Sequence, residues 1–398
     1  MVPKGWLVKP FNTIAYLGNG QVDPKIEPYC SMIHIGPENV ISDTGQLIDL
    51  KKCSELGLIS GKYEFDEKAI VYSKIRPNLN KVCYPKFRGV CSADMYPIWV
   101  GDDIDINYLF QYMLGPGFYK TAVSMSMRTG MPKINRADLN TVPIIIPTMV
   151  EQKKIVDILQ VWDESISLVD KMLDNSKNIK KALIQQLLTA KRRFSGYDGD
   201  WIKVKIGDVL KEVKRPVIWS DDVDYKLLSV KRRSEGVVLR EVLHGSKILT
   251  KKMNLAKHGD FLVSKMQVLH GATGLVPKNL DGCHVSDSYI SLVSKYPDKF
   301  DIEFFSWYSQ QKFMYHKAYL CSYGVHIEKM TFNFNMYLKE YISIPPTLNE
   351  QKAIVNALNT ASQEIDNLKV QLKNLKQEKK ALMQQLLTGR LRVKVEAA

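Results

Sequence analysis

The sequence has few cysteines and no metal-type pairing among them. Its six are Cys30, Cys53, Cys83, Cys91, Cys283 and Cys321, with no C-x-x-C pair. That excludes a zinc ribbon and a dense disulfide framework, and reads as reduced, mostly buried thiols. Long apolar runs are missing: stretches such as Ile144-Ile145-Ile146 fall far below the ~18 residues of a membrane-spanning helix. The opening Met1-Val2-Pro3-Lys4-Gly5-Trp6 lacks the apolar core of a signal peptide. A soluble, cytoplasmic protein with no membrane partner is expected. Catalytic signatures are missing as well. There is no G-x-x-x-x-G-K-[ST], H-E-x-x-H, G-x-S-x-G or strand-borne G-x-G-x-x-G. A nuclease-like string from Asp138 to Glu151-Gln152-Lys153 has no upstream aspartate at comparable spacing before Glu350-Gln351-Lys352, so a helix start explains both. The seven histidines are scattered without ligand spacing. No catalytic residue and no metal site are expected.

What is present is length, basic charge and a repeat. At 398 residues the chain exceeds one ordinary core, since domains run to roughly 100–200 residues. Apolar residues at 45% and charged residues at 25% exclude wholesale disorder. Lys and Arg number 56 against 42 acids, a net +14. That balance favours a polyanion such as nucleic acid, where neutralised phosphates release counterions.

Residues 151–189 match 350–388 at an offset of 199 without a gap, with 19 identities in 39 positions. The match runs from Glu151-Gln152-Lys153 and Glu350-Gln351-Lys352 to Gln185-Gln186-Leu187-Leu188-Thr189 and Gln384-Gln385-Leu386-Leu387-Thr388. Both copies read as long helices. Pro147 and Pro346 precede them, and Glu151 and Glu350 suit the positive end of the helix dipole. Steps of four and three trace a heptad seam through Ile155, Leu159, Trp162, Ile166, Val169, Leu173, Ser176, Lys180, Leu183 and Leu187. The same phase in the second copy gives Ile354, Leu358, Ala361, Ile365, Leu368, Leu372, Leu375, Lys379, Leu382 and Leu386. Such a seam needs a helical partner. A homodimeric coiled coil would supply one; the matched phase within one chain favours antiparallel pairing of the two copies. At 1.5 Å per residue, 39 residues reach roughly 58 Å, a rod with the globular parts at opposite ends. Lys180 and Lys379, at matching seam positions, either fix register or, as preferred here, snorkel near the helix ends. The basic Lys191-Arg192-Arg193 either complements the helix dipole or touches phosphate.

Residues 1–146 and 195–345 are the two globular parts, and residues 147–194 and 346–398 the helical segments. The expected class is α/β: two globular α/β domains separated by two long helices pairing as an antiparallel coiled coil, with a pseudo-two-fold internal duplication. Both globular parts open on a tryptophan, Trp6 and Trp201, and share the order of strand-like patches but little sequence. Side chains suited to DNA gather in their turn-rich stretches. In the first part these are Lys74, Arg76, Asn78, Asn80 and Lys81, then Arg128, Lys133, Asn135 and Arg136. In the second they are Lys231, Arg232 and Arg233, then Lys265, Gln267 and His270, then His326, Lys329, Asn333 and Asn335. Arg and Lys can read guanine edges, Asn and Gln adenine, and others hold phosphates.

On these residues the chain resembles the specificity (S) subunits of type I restriction-modification systems. The duplicated helix, with Ile146-Pro147 at its head and Pro345 where the isoleucine would fall in the second copy, carries most of the resemblance. Ser73-Lys74-Ile75-Arg76-Pro77-Asn78-Leu79-Asn80-Lys81 and the stretch from Arg128 to Leu139 resemble segments of that family's target-recognition domains. In the second part, Gly259 to Lys265 and Gly271-Ala272-Thr273-Gly274 do so. The resemblance implies two target-recognition domains, each reading half of a split, asymmetric site in double-stranded DNA. It implies helices that scaffold two modification subunits, which methylate adenine with S-adenosylmethionine. Restriction subunits then cleave with ATP and magnesium. No cofactor is implied for this chain. The alternatives are an orphan DNA-binding adaptor of the same fold and, in another class, a nucleic-acid-modifying enzyme with an unrecognised site.

Overall fold

The computed structural model describes residues 2–126, 132–324 and 330–394. It divides into two compact units: Met1–Met172 with Leu368–Ala398, and Leu173–Asn367. The boundaries read from the sequence keep each helical segment whole, whereas these units cut both long helices, which run Met149–Leu187 and Leu348–Leu386. Among the described residues no helix is long and apolar enough to cross a membrane.

In the first unit the chain enters on Leu7–Pro10 and leaves on Pro143–Ile146, paired antiparallel with Leu7 opposite Ile146. Between them lie two four-stranded sheets. One is antiparallel, in the order Ala15–Leu17, Met95–Val100, Ile70–Ser73, Val82–Cys83. The other runs Lys51–Lys52, Ile33–Ile35, Gly89–Cys91, Tyr63–Phe65, with Ile33–Ile35 and Gly89–Cys91 parallel. Ile70–Ser73 is buried along its whole length, which is why it reads as an unbroken apolar run rather than an alternation. The helix Ile106–Leu114 is capped by the Asp105 side chain, which accepts from the backbone N–H of Asn107 and Tyr108.

The second unit repeats this plan. Ile202–Lys205 pairs with Tyr341–Ile344. One sheet has the order Leu210–Glu212, Tyr289–Ser294, Phe261–Ser264, Thr273–Leu275. The other has Val237–His244, Asp224–Val230, His284–Ser286, Met253–Leu255, again with one parallel pair. Asp301 caps Ile302–Ser309 as Asp105 caps its counterpart. The duplication therefore extends through the globular parts, where the side chains have diverged and the strand order has not.

Within each unit the two helical stretches pair antiparallel. In the first, Ile155 and Leu159 share a core with Met383, Leu386 and Leu387, and Asp163 meets Lys379. In the second, Leu187 and Leu188 share a core with Ile354, Val355 and Leu358, and Ser176 meets Glu364. Of the seam residues, Ile155, Leu159, Leu173, Leu187, Ile354, Leu358, Ile365 and Leu386 are buried. Ile166, Leu183, Leu372 and Leu382 are half-buried. The two seam lysines differ. Lys379 does not snorkel: it is 7% exposed and its Nζ lies 2.5 Å from Asp163 Oδ1. Asp163 also accepts from Gln111 Nε2 at 3.0 Å. Lys180 instead sits 4.9 Å above the Trp307 ring, and Trp307 Nε1 donates to Asn359 Oδ1 at 3.0 Å.

The Glu-Gln pair at each helix start does more than suit the dipole. Glu151 and Glu350 are each 1% exposed. Glu151 accepts from Trp6 Nε1 at 3.0 Å, Thr148 Oγ1 at 2.9 Å, and Arg392 Nε and Nη2 at 2.9 and 2.7 Å. Glu350 accepts from Arg193 Nε and Nη2, both at 2.7 Å, and from Trp201 Nε1 at 3.4 Å. Arg193 is thus engaged by a carboxylate of its own unit, which settles its part of the basic stretch 191–193. Burial alone would raise the Glu151 carboxyl; the bonds from Arg392, Thr148 and Trp6 outweigh it and hold it below its ordinary value. Gln152 and Gln351 bind the globular parts. Gln152 Oε1 accepts from Asp105 N and Gln351 Oε1 from Asp301 N, both at 2.8 Å. Their Nε2 groups donate to Pro147 O and Asp103 O, and to Pro345 O and Lys299 O.

Candidate nucleic-acid interface

In the first unit, two segments far apart in sequence form one edge. Arg76 N donates to Pro132 O at 2.7 Å and Ile134 N to Lys74 O at 2.9 Å. Lys74, Arg76 and Lys133 are thereby neighbours at the end of the central strand Ile70–Ser73. The turn that follows is fixed by backbone strain and one buried amide. Arg76 and Asn80 are left-handed, with φ of 47° and 45°, a region that asparagine tolerates and arginine rarely enters. Asn80 is 4% exposed, and its Nδ2 donates to Asp43 Oδ1 and Leu114 O at 2.9 and 3.1 Å. Asn80 therefore anchors the turn and is withdrawn from DNA. Arg76 and Asn78 are exposed on the tip it holds.

The other candidates of this unit divide similarly. Lys81 is half-buried and its Nζ donates to Pro37 O, a structural bond. Lys133 and Asn135 are exposed; Asn135 caps the helix Arg136–Asn140 by accepting from Asp138 N. Arg136 is committed within the protein. It donates to the carbonyls of Leu17 and Gly18 and lies 5.0 and 5.8 Å from the ring centroids of Tyr96 and Tyr63. Lys74 Nζ lies 5.1 Å from the Tyr96 centroid. Burial, and then the neighbouring charge of Lys133, lower the pKa of Lys74. Arg128 lies outside the described residues.

In the second unit the hairpin between Asp224–Val230 and Val237–His244 carries Lys231, Arg232 and Arg233, all exposed. Arg233 and Ser234 are left-handed, at φ 58° and 54°. Ser234 locks the tip: its N donates to Gly271 O at 2.7 Å, and its Oγ lies 2.7 Å from Tyr315 OH. Gly271 is needed there. Its φ is +69°, and a Cβ would stand 2.4 Å from the Tyr315 ring. The lock sets the basic hairpin beside the turn bearing Gln267 and His270, both half-buried. Gln267 Oε1 is buried without a hydrogen-bond partner. Lys265 ends its central strand as Lys74 does, and its Nζ donates to Asp287 O at 2.6 Å. His326 and Lys329 lie outside the described residues.

Both sites therefore place a lysine at the end of the same strand beside a strained, basic turn. The sequence alone did not indicate Tyr63, Tyr96, Ser234 or Tyr315, because each acts through a contact distant along the chain. Gly271 was singled out only as part of a motif. Among the described residues, no group of three or more His, Cys, Asp or Glu is arranged to hold a metal.

The family model described as type I restriction modification DNA specificity domain matches residues 53–176 and 198–377. The specificity subunit of the type I restriction enzyme EcoDI from Escherichia coli is 35% identical over 187 residues. That match covers 47% of this chain and 41% of the relative, so the chain aligns with less than half of that protein's length. The MjaVIII specificity subunit from Methanocaldococcus jannaschii is 24% identical over 77% of this chain and 75% of its own length. The crystal structure of the HsdS subunit from Thermoanaerobacter tengcongensis superposes with a TM-score of 0.55 at 17% identity, covering 98% of each chain. At that identity the likeness concerns the fold.

Proposed function

This chain belongs to the type I restriction-modification DNA specificity family, and from that premise we propose that it reads a bipartite site in double-stranded DNA, one block with each globular domain. It takes no part in bond making or breaking. Two modification subunits methylate adenine in the site with S-adenosylmethionine, and restriction subunits use ATP and magnesium to cleave. The correspondence of Lys74 and Lys265, each following the same strand of a duplicated mount, supports this reading most directly. One scaffold presents two tips whose surrounding side chains differ, as two readers of different half-sites require. Exposed Arg76, Arg232 and Arg233 are assigned to base edges, and Lys133 and Lys231 to phosphates that set register.

The test is a selection of duplex fragments by the purified chain from a randomised pool, at stated salt. Enrichment of two short blocks around a constant gap is expected. Enrichment of a single continuous block, or S-adenosylmethionine-dependent methyl transfer by the chain alone, would overturn the reading.

A further inference from the structure

A cleft in the second unit has a filled counterpart in the first, and strand register aligns the two residue by residue. In the first unit Leu17 pairs with Ile98 and Ser73 with Met95. In the second, Glu212 pairs with Leu292 and Ser264 with Tyr289. Leu17 thus corresponds to Glu212, Lys74 to Lys265 and Tyr96 to Ile290. Asn135 and Asn333 each cap the short helix that follows, so Arg136 corresponds to Phe334. In the first unit the Arg136 guanidinium fills this place, bonded to two carbonyls and stacked near Tyr96. In the second the same place is an open cleft of about 360 Å3, walled by Ile290 and Phe334 and edged by Glu212, Lys214, Lys265 and Asn335. Its size lies at the lower end of the ~300–1,000 Å3 typical of small-ligand sites.

The filled copy indicates what suits the open one. The guanidinium is flat, carries N–H donors and lies against an aromatic ring. In the open cleft the Glu212 carboxylate, 3.6 Å from Lys214 Nζ, is the one acidic group among the described lining residues, and Phe334 offers a ring. Lys214 and Lys265 line it as well, which disfavours a second cation and favours a flat donor group tied to phosphate. We infer that the cleft takes one unstacked DNA base bearing an exocyclic amino group. Glutamate accepts from such an amine, asparagine pairs with adenine edges, and aromatic rings stack on a freed base. The lysines take the flanking phosphates. This rests on the reading of the second unit as a DNA reader.

The experiment uses the full chain with short single strands at physiological salt. One strand is all thymine, which has no exocyclic amine; the others carry one central adenine or cytosine. The adenine or cytosine strand should bind about tenfold more tightly, consistent with one charged hydrogen bond to the amine that thymine lacks. Glu212→Ala and Phe334→Leu should each erase that preference while the far-ultraviolet spectrum and Tm stay unchanged. Equal binding of all strands, or a preference that survives both variants, would overturn the cleft. Binding to mixed-sequence duplex, measured in parallel, tests the DNA-reading role separately. A chain that fails on duplex but keeps the single-strand preference would refute that role and leave the cleft standing.

Discussion

Arg392→Ala probes the joint between the helix start and the first globular part. Wild-type Glu151 is buried, and Arg392, 47% exposed, supplies two of its hydrogen bonds. Removing one partner of a buried ion pair costs about 3–5 kcal/mol. Here the cost is smaller, because Trp6 and Thr148 still donate to Glu151 and the lost cation was half solvated. About 2–3 kcal/mol at pH 7 is expected on that footing. The penalty should depend on pH with a definite sign. In the wild type the carboxyl lies below its ordinary 4.5, so its stabilisation is complete above 4.5 and lost as pH falls through the lower folded value. Without Arg392 the strongest of the bonds that lower it is gone, and the carboxyl titrates higher than in the wild type. The stranded acid then takes up a proton on mild acidification, so the gap between variant and wild type narrows. Guanidinium denaturation followed by circular dichroism gives the overall effect. Hydrogen exchange at residues 149–159 gives the local one, since two cores need not unfold in one step. A variant within about 0.5 kcal/mol of wild type at pH 7, or a penalty that grows between pH 7 and 4, would show that Arg392 does not hold the buried carboxylate.

The remaining predictions separate readers from supports. Arg76→Ala should weaken duplex binding by about 1–3 kcal/mol with stability unchanged, whereas Asn80→Ala should lower stability by about 1–3 kcal/mol by orphaning its two acceptors; binding isotherms and melts on both variants would expose a reversal. An Arg76 loss that is uniform across DNA sequences would reassign it to phosphate. Gly271→Ala should break the lock between the basic hairpin and Tyr315, costing at least about 1–3 kcal/mol through overpacking and the left-handed backbone. Normal melting and normal binding by that variant would argue against the lock.

The long helices were legible because a heptad seam repeats along each and neither contains glycine or proline. The globular duplication was legible as a shared order of strand-like patches, but its residue-by-residue alignment was not, because backbone register rather than side-chain identity carries it: Tyr96 and Ile290, or Arg136 and Phe334, look unrelated until strand pairing aligns them. Insertions and deletions between the copies also obscured that alignment, one of them at the head of the second helix. The helices match at an offset of 199, yet Ile146 and Ile344 occupy the same place in their two-stranded sheets, so Pro345 is the extra residue rather than the isoleucine's substitute. Trp6, Trp201, Glu151 and Glu350 were all noticed, but nothing in linear order joins a tryptophan to a carboxylate some 145 residues on. Asn80 was misread for a related reason: its residue type suits a base edge equally well as a buried anchor, and only its partners tell the two apart.

Under the proposed function, this chain decides which DNA sequence the modification subunits act on. A methylome comparison of cells with and without the gene, by direct sequencing of modified bases in a host where the modification subunits are expressed, tests it most directly. Loss of one split adenine motif, two short fixed blocks around a constant gap, is expected, with all other motifs retained. An unchanged set of modified motifs in that host would contradict it.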